Sequence, residues 1–378
     1  MVSSSPVTIA IIGFSGGIGK RHTSVALANP EVKLVALVDP SPAAGPIAES
    51  HSVPYFRSVR ELLSSTTVAK PMGAIVCTPN HTHVPVAKEL ATAGIHLLIE
   101  KPVSISGAEG QELLQCLKEN GVRALVGHQR RFNEHVVAAK RVIDEGRLGD
   151  VTAVSALWTL YKSLAYFNGG PNISWRSSRK NGGGVVLMNL IHEIDMLQYF
   201  LGPITRVHAE KTISRRTTVD VGVEEDDRAE EGAALTLRFK SGVVGTFLVS
   251  DCVVSPHNYE VSVGDNPHTL SNLKDEKIDV YRIFGTDASL SVPDMVLWSH
   301  VPGAGKGRQV PLQKETIPVG NDLRDSFTRQ LEHFVHVIRG EAESNCPPEE
   351  GLRAALVCET IIRALDSPSG TLDVPDIS

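Results

Sequence analysis

The sequence predicts an α/β protein with an N-terminal doubly wound parallel sheet and a C-terminal α+β domain containing a large, mostly antiparallel, open sheet. Two observations support this. Up to residue 127, continuous apolar runs alternate with helical segments, which is typical of parallel strands covered on both faces. Beyond residue 127, strand-like segments with polar turns dominate. We therefore predict two domains, spanning residues 1–127 and 128–378.

The N-terminal domain is predicted from five apolar runs and the helical segments between them. The strands are expected at Val7–Ile12, Val32–Val38, Gly73–Cys77, Ile95–Ile99 and Ala124–Gly127. The helices are expected at Lys20–Ala28, Pro85–Ala93 and 108–119. Strands that alternate with helices in this way form a sheet with helices on both faces.

The C-terminal domain is predicted to begin with a helix and to continue mainly as strands. Helices are expected at Asn133–Glu145, Val186–Leu201, 322–339 and 348–366. Strands are expected at Val151–Leu160, 205–213, 233–239, 243–250, 258–263, 278–284 and 288–292. Gly202-Pro203 ends a helix. The acidic run Glu224–Asp227 is interpreted as a solvated loop, with a metal site as the second and weaker interpretation.

Composition narrows the function classes. The hydrophobic content of 42% and the charged content of 21% are those of a globular protein. The net charge of −6 argues against nucleic acid or an anionic membrane as the partner. The sequence lacks an apolar run of about 20 residues and a recognisable secretory signal, and its five cysteines are scattered. We expect a cytoplasmic protein with reduced thiols.

A glycine-rich turn follows the first predicted strand and precedes the first helix. Such glycines let the backbone approach a pyrophosphate, which then lies at the positive helix N-terminus. The spacing is a variant of G-x-G-x-x-G, with Phe14 at the first glycine position. The predicted cofactor-binding residues of this turn are Gly13, Phe14, Ser15, Gly16, Gly17, Ile18 and Gly19.

Asp39 ends the second strand, where a carboxylate accepts hydrogen bonds from an adenosine ribose. A carboxylate there repels a 2′-phosphate, so the predicted cofactor is NAD in preference to NADP. The alternative interpretation is a simple Asp-Pro turn.

The fourth strand ends abruptly in Glu100-Lys101-Pro102. Proline stops the ladder, so Lys101 is held at the carboxyl end of a buried strand, where open α/β sheets bind ligands. Because burial shifts a lysine pKa readily, Lys101 is a candidate for proton transfer. A lysine that reaches from the strand end to water is the plainer alternative.

These pieces together resemble the glucose–fructose oxidoreductase, inositol dehydrogenase and MocA family, from the glycine turn to the final helix. The elements that carry the resemblance are Thr78-Pro79-Asn80-His81, Glu100-Lys101-Pro102, Gly127–Phe132, Trp175-Arg176, Gly182-Gly183-Gly184 and His192-Glu193-Ile194-Asp195. The resemblance implies an N-terminal Rossmann domain and a C-terminal domain whose open sheet supports homodimers or homotetramers.

The resemblance also implies roles for individual residues. Further cofactor-binding residues would be Thr78, Pro79, Asn80, His81, Glu100, Lys101, Gln129, Trp175 and Arg176. Lys101 would reach the reacting hydroxyl, and the peptide bond before Pro102 would be cis. His192 would be the second catalytic residue.

One departure from the family pattern concerns the acid that many members carry four residues before the catalytic histidine. Met188 occupies that place, and Asn189 lies one residue further on. On an α-helix Asn189, His192 and Asp195 share one stripe, so we expect Asp195 or Asn189 to orient His192. A histidine satisfied within the core is the plainer alternative.

The hypothesis from the sequence is an NAD-dependent dehydrogenase or reductase acting on a CH–OH group of a sugar, cyclitol or similar polyhydroxylated molecule. Lys101 handles the proton with His192, and no metal is expected. Two alternatives stay open: a redox-neutral enzyme that uses tightly bound NAD transiently, and a non-catalytic NAD(H)-binding regulator. The predicted substrate residues are Lys101, Tyr161, Asn172, Asn189, His192 and His257, with Tyr166 and Asn258 nearby.

Overall fold

The structure is a computed structural model that describes residues 5–168, 174–264, 278–322 and 324–377. The chain divides into two compact units. The first contains residues up to Gln129 and the segment Arg324–Ala355, and the second contains Arg130–Leu323 and Leu356–Asp376. The chain first passes from one unit to the other after Gln129, two residues later than predicted. The segment Arg324–Ala355, near the end of the chain, belongs to the first unit again.

The first unit is built on a six-stranded parallel sheet with the order β3-β2-β1-β4-β5-β6. Its strands are β1 Val7–Ile12, β2 Val32–Val38, β3 Tyr55–Phe56, β4 Gly73–Val76, β5 His96–Ile99 and β6 Ala124–Val126. Its helices are α1 Gly17–Ala28, α2 Ala44–Ser50, α3 Val59–Leu63, α4 His83–Thr92 and α5 Gly107–Glu119. The predicted doubly wound sheet is therefore confirmed, and β3 is the additional edge strand.

The late segment joins the first unit because its helix packs on the sheet. A Cβ on Gly73 would lie 2.6 Å from the Ile338 side chain and 3.3 Å from the Phe334 ring. Arg123, just before β6, also donates to the carbonyls of Val337 and Ile338. A composition-based boundary cannot detect such a return of the chain.

The second unit holds a nine-stranded sheet with the order β14-β13-β12-β11-β7-β10-β9-β8-β15. Its strands are β7 Val151–Thr159, β8 Ile204–Lys211, β9 Gly232–Phe239, β10 Val244–Ser250, β11 Tyr281–Gly285, β12 Ala288–Val292, β13 Val296–His300, β14 Leu312–Thr316 and β15 Thr371–Asp373. Only the pair of β7 and β10 is parallel among these described strands. The mostly antiparallel sheet was predicted correctly.

The remaining helices are α6 Glu134–Asp144, α7 Ala165–Asn168, α8 Ile191–Leu201, α9 Thr218–Val221, α10 Tyr259–Val263, α11 Ser326–Arg339 and α12 Pro348–Leu365. The strand predicted over 258–263 is wrong, because this segment is α10. The Asn258 side chain accepts a hydrogen bond from the Val261 N–H and caps the helix. Gly264 ends it in the left-handed region at φ 67°.

The segment predicted as one helix over Val186–Leu201 consists of two consecutive helical segments of different type. Val186–Leu190 is a π-helical segment, and α8 follows it directly. The predicted α-helical stripe through Asn189 is therefore wrong in its spacing, because a π turn contains more residues than an α turn. Short π segments are rare and occur frequently at functional sites.

Within the described residues, no helix is long and apolar enough to cross a bilayer.

Candidate active site

The glycine turn between β1 and α1 is compact because the backbone packs closely against two of its glycines, which leaves no room for a side chain there. Gly13 lies at φ +83°, and a Cβ there would be 2.8 Å from the Cys77 carbonyl group. A Cβ on Gly19 would lie 2.3 Å from the Gly13 carbonyl oxygen. Around Gly17, by contrast, the space within 4 Å is open. The turn thus leaves bare backbone at a helix N-terminus, which fits the pyrophosphate of a dinucleotide.

Asp39 connects this turn to the end of β2. Its carboxylate accepts hydrogen bonds from the N–H of Ser15, at 3.1 Å, and of Ser41, at 2.9 Å. Phe14 is buried and packs edge-on to Tyr55, while Ile18 on α1 is 37% exposed. The turn is therefore fixed from the side of β2, where the sequence predicts the ribose.

The predicted cofactor segment Thr78–His81 follows β4 and continues into a 3₁₀ turn. His83, the first residue of α4, is buried beneath it. Its ring nitrogens lie 2.8 Å from the Thr78 carbonyl and 2.7 Å from the Pro102 carbonyl. Burial lowers the pKa of His83, although these two carbonyls oppose the shift. One imidazole thus links the loops after β4 and β5.

Glu100 and Lys101 follow β5, and the Lys101–Pro102 peptide is cis, as the resemblance implies. The Glu100 side chain is buried and accepts a hydrogen bond of 2.8 Å from His22 on α1. Its second oxygen accepts from the Lys101 N–H at 3.2 Å. Burial would raise the pKa of Glu100, but the hydrogen bond and charge of His22, with the charges of Lys101 and His83, lower it. Lys101 itself is half-buried.

In the second unit, paired charges fix the helix that carries His192. Arg130 donates to Glu193 and to Glu260, and the latter also accepts from the Trp158 indole at 3.0 Å. Burial raises the pKa of Glu193 to about 7, against the opposing charge of Arg130. Buried charges of this kind need partners, and Glu193 has one.

Asp195 forms a bidentate pair with Arg131, with distances of 3.0 and 2.6 Å. Asn189 directs its Oδ1 toward the Lys162 ammonium at 2.5 Å. His192 lies between these residues in the chain and is 7% exposed. The two residues that we expected to orient His192 thus have cationic partners, and the orientation of His192 by either one stays a prediction.

The remaining predicted residues of the second unit lie on loops. Tyr161, just after β7, is 61% exposed and forms an isolated antiparallel β-bridge with Cys252. His257 precedes α10 and is exposed. Trp175 and Arg176 lie in a 3₁₀ turn, Ser174–Ser177. The Arg176 guanidinium stacks on the Tyr166 ring at 4.1 Å. Asn172 lies outside the described residues. In the first unit, Gln129 begins a 3₁₀ turn after β6.

Sequence reasoning missed His22, His83 and Lys162. His22 and His83 occupy buried faces of α1 and α4, where a polar residue among apolar ones is itself a signal. Lys162 follows the apolar strand β7 much as Lys101 follows β5, so the same pattern could have found it. Its ammonium is almost fully buried.

The class that fits a glycine turn at a helix N-terminus, with a carboxylate and a lysine at strand ends of one parallel sheet, is that of NAD-binding oxidoreductases. Residues 7–128 match the model of an oxidoreductase family with an NAD-binding Rossmann fold. Residues 140–370 match the model of that family's C-terminal alpha/beta domain. The chain belongs to the glucose–fructose oxidoreductase, inositol dehydrogenase and MocA family.

Individual relatives align with nearly the whole of this chain. Inositol 2-dehydrogenase of Rhizobium meliloti (strain 1021) is 23% identical over 359 residues, covering 95% of this chain and 97% of its own. The WlbA dehydrogenase from Bordetella pertussis, solved with NADH and UDP-GlcNAcA, has a TM-score of 0.75 and 21% identity, with 98% and 99% of the two chains covered. Levoglucosan dehydrogenase, solved with NADH and levoglucosan, has a TM-score of 0.76 and 19% identity, with 98% and 100% covered. The two solved structures share the fold.

The glycine turn predicts a different outcome for an alanine substitution within it than for one elsewhere. Gly19→Ala should weaken NADH binding by about 30-fold or more, because its methyl group would overlap the backbone of Gly13 and Phe14. Gly307→Ala, in an exposed loop of the second unit, makes only an ordinary contact with Val310 and should keep the affinity within about twofold. Fluorescence titration with NADH measures both, and equal affinities in the two variants would contradict the assignment of the turn.

Glu230 predicts a pH effect on stability. It is buried, its Oε1 accepts from the Val186 N–H at 2.9 Å, and burial raises its pKa to about 7. Because this pKa lies above the ordinary value of 4.5, the folded state binds the proton more tightly. Stability from this group is therefore present at low pH and is lost as pH rises from about 4.5 through 7.

Glu230→Gln keeps the acceptor for Val186 and removes the titration. The free energy of unfolding of the wild type should fall relative to that of the variant between pH 5 and 8, by at most about 3 kcal/mol. Urea denaturation at several pH values measures this difference. Glu225→Gln, at an exposed site in the same loop, is the matched control. Parallel curves for wild type and Glu230→Gln would refute the effect.

Proposed function

We propose that this protein catalyses hydride transfer between NAD and a CH–OH carbon of a hydroxyl-rich small molecule of the sugar or cyclitol kind. The observation that carries the proposal is the position of Lys101. It follows β5 in the same unit as the glycine turn, and its neighbour Glu100 is bonded to the helix that begins at that turn. Cofactor binding and proton transfer are thereby assigned to one rigid framework.

The residues that would hold NAD are those of the glycine turn, Asp39 and the segment after β4. When bound, NAD supplies a nicotinamide that accepts or donates hydride. The carboxylate of Asp39 favours a ribose with a free 2′-hydroxyl and disfavours a 2′-phosphate. Initial rates with NAD and NADP test this preference.

Oxidation of a secondary alcohol also requires removal of the hydroxyl proton. Lys101 is our first candidate for this step, because a half-buried lysine at a strand end can bind a substrate oxygen and exchange a proton with it. His192 is the second candidate, as a relay or an alternative base. Glu100 acts on Lys101 through the backbone, since its carboxylate accepts from the Lys101 N–H.

The names of the relatives support the substrate class. One is an inositol dehydrogenase, and another was solved with levoglucosan, an anhydrosugar. Tyr161, Asn189 and His257 supply the hydrogen-bonding groups that such hydroxyl-rich molecules need. These residues all belong to the second unit.

We also propose that the protein forms a homodimer or homotetramer in the cytoplasm. The outward face of the nine-stranded sheet exposes Leu248, Phe284 and Trp298, which lie on the same side of β10, β11 and β13, alternate strands of the sheet. Exposed apolar residues on one face of a sheet are consistent with a protein interface. The molar mass in solution tests the oligomer.

Lys101→Met should abolish turnover, lowering kcat by at least about 100-fold, because it removes the proton-transferring group. The NADH dissociation constant should stay within about threefold, since the glycine turn and Asp39 are unchanged. A substrate panel of sugars and cyclitols monitored by NADH absorbance measures turnover and also separates net oxidation from redox-neutral use. Lys118→Met, at an exposed site on α5, is the matched control. Retained turnover in Lys101→Met would exclude Lys101.

A further inference from the structure

Lys162 is a buried cation that the proposed chemistry does not use. It follows β7, and its side chain is 9% exposed. Its ammonium nitrogen lies 2.5 Å from Asn189 Oδ1 and 3.4 Å from Asp251 Oδ2. Burial lowers its pKa, while the charge of Asp251 opposes that shift. A lysine held this deep is costly unless its charge or its donors are used.

Aromatic rings and a second cation surround this ammonium. It lies 5.6 Å from the Trp158 ring centroid and 4.9 Å from that of Tyr166. The guanidinium carbon of Arg176 lies 4.1 Å from the centroid of the same Tyr166 ring. Asp251 also accepts a hydrogen bond of 2.7 Å from Arg216. Asp251 is therefore shared by Lys162 and Arg216, and Arg216 has a second carboxylate neighbour in Glu231 at 3.9 Å.

The Lys162 ammonium has more hydrogen-bond donors than it has acceptors beside it. An ammonium has three N–H donors, and Asn189 and Asp251 are the two acceptors that the described residues provide. The lysine also fixes the amide of Asn189, because Oδ1 must face the cation and Nδ2 must face away. The Nδ2 group of Asn189 and the third N–H of Lys162 are thus left as donors, while Oδ1 of Asn189 already faces the ammonium.

The N–H donors of Lys162 and Asn189 determine which kind of ligand group can bind to them. A hydroxyl group of a neutral sugar donates as well as accepts, whereas a carboxylate only accepts and forms charge-assisted bonds about twice as strong. An aspartate in place of Asn189 would only accept hydrogen bonds and would select a hydroxyl donor instead. The amide of Asn189 reverses that preference.

We propose that Lys162 and Asn189 bind the carboxylate of the substrate, so that the preferred substrates of this enzyme are sugar acids. This inference rests on the proposed function, and it adds a specificity-determining site to it. Arg176, stacked on the shared Tyr166 ring, adds positive charge to the same cluster. A buried site built from donors rejects a ligand without the matching acceptor strongly, because its polar groups would be left unpaired.

The test uses matched pairs of an acid and its neutral counterpart: D-glucuronate with D-glucose, D-galacturonate with D-galactose, and D-gluconate with D-glucitol. Calorimetric binding to the wild type saturated with NADH, and kcat/KM with NAD, are measured for each pair. We expect the acid to be preferred by about tenfold or more. Equal or stronger binding of the neutral members, or no binding of any acid in the panel, would overturn the proposal.

Variants separate the site from general effects on folding. Lys162→Met should remove most of the acid preference, Lys162→Arg should retain part of it, and Asn189→Asp should shift the preference toward the neutral member. Lys180→Met, at an exposed site in the same unit, should change nothing. Thermal unfolding and NADH affinity identify a variant that fails to fold. An acid preference that is unchanged in both Lys162→Met and Asn189→Asp would refute the site.

The two proposals fail in different ways. If the wild type binds acids selectively but transfers no hydride, the proposed function fails and the carboxylate site stands. If hydride transfer proceeds with a selectivity that ignores Lys162 and Asn189, the proposed function stands and the carboxylate site fails.

Discussion

The buried hydrogen bond between His22 and Glu100 is the interaction on which the nucleotide-binding unit depends. His22 lies on the buried face of the helix that begins at the glycine turn, and Glu100 follows the strand that leads to Lys101. The bond therefore connects the helix that follows the glycine turn to the end of the strand that precedes Lys101. Without it, a carboxylate that is 5% exposed would lose its side-chain partner and keep the N–H of Lys101, and such a loss is costly for a buried charge.

Two further groups of buried polar contacts give each unit its rigidity. In the first unit, His83 links the carbonyls of Thr78 and Pro102 and so joins the loops after two adjacent strands. In the second unit, the pairs of Arg130 with Glu193 and of Arg131 with Asp195 fix the helix of His192. Functional side chains need such supporting contacts, because small displacements of a reacting group greatly reduce its effect.

Much of the fold could be predicted from the pattern of apolar residues, because strands that are buried on both faces appear in the sequence as uninterrupted apolar runs. The segment 258–263 misled this reasoning, since its alternating pattern suits a strand but Asn258 and Gly264 supply helix ends. The π turn at Val186–Leu190 and the return of Phe334 to the first sheet depend on tertiary packing. Among the site residues, Lys101 and the glycine turn carry local signals, whereas the partners of His22 and Lys162 lie 78 and 27 residues away and cannot be assigned from the local sequence.

The most direct test of the central claim compares single-turnover hydride transfer in His22→Leu and His22→Gln. Stopped-flow absorbance of NADH gives the rate, and fluorescence titration gives the NADH dissociation constant. The account predicts a rate at least about tenfold slower in His22→Leu with NADH affinity within about threefold of wild type, and a partial recovery in His22→Gln, whose amide can still donate to Glu100. A wild-type rate in His22→Leu, or an NADH affinity that falls by the same factor as the rate, would contradict it.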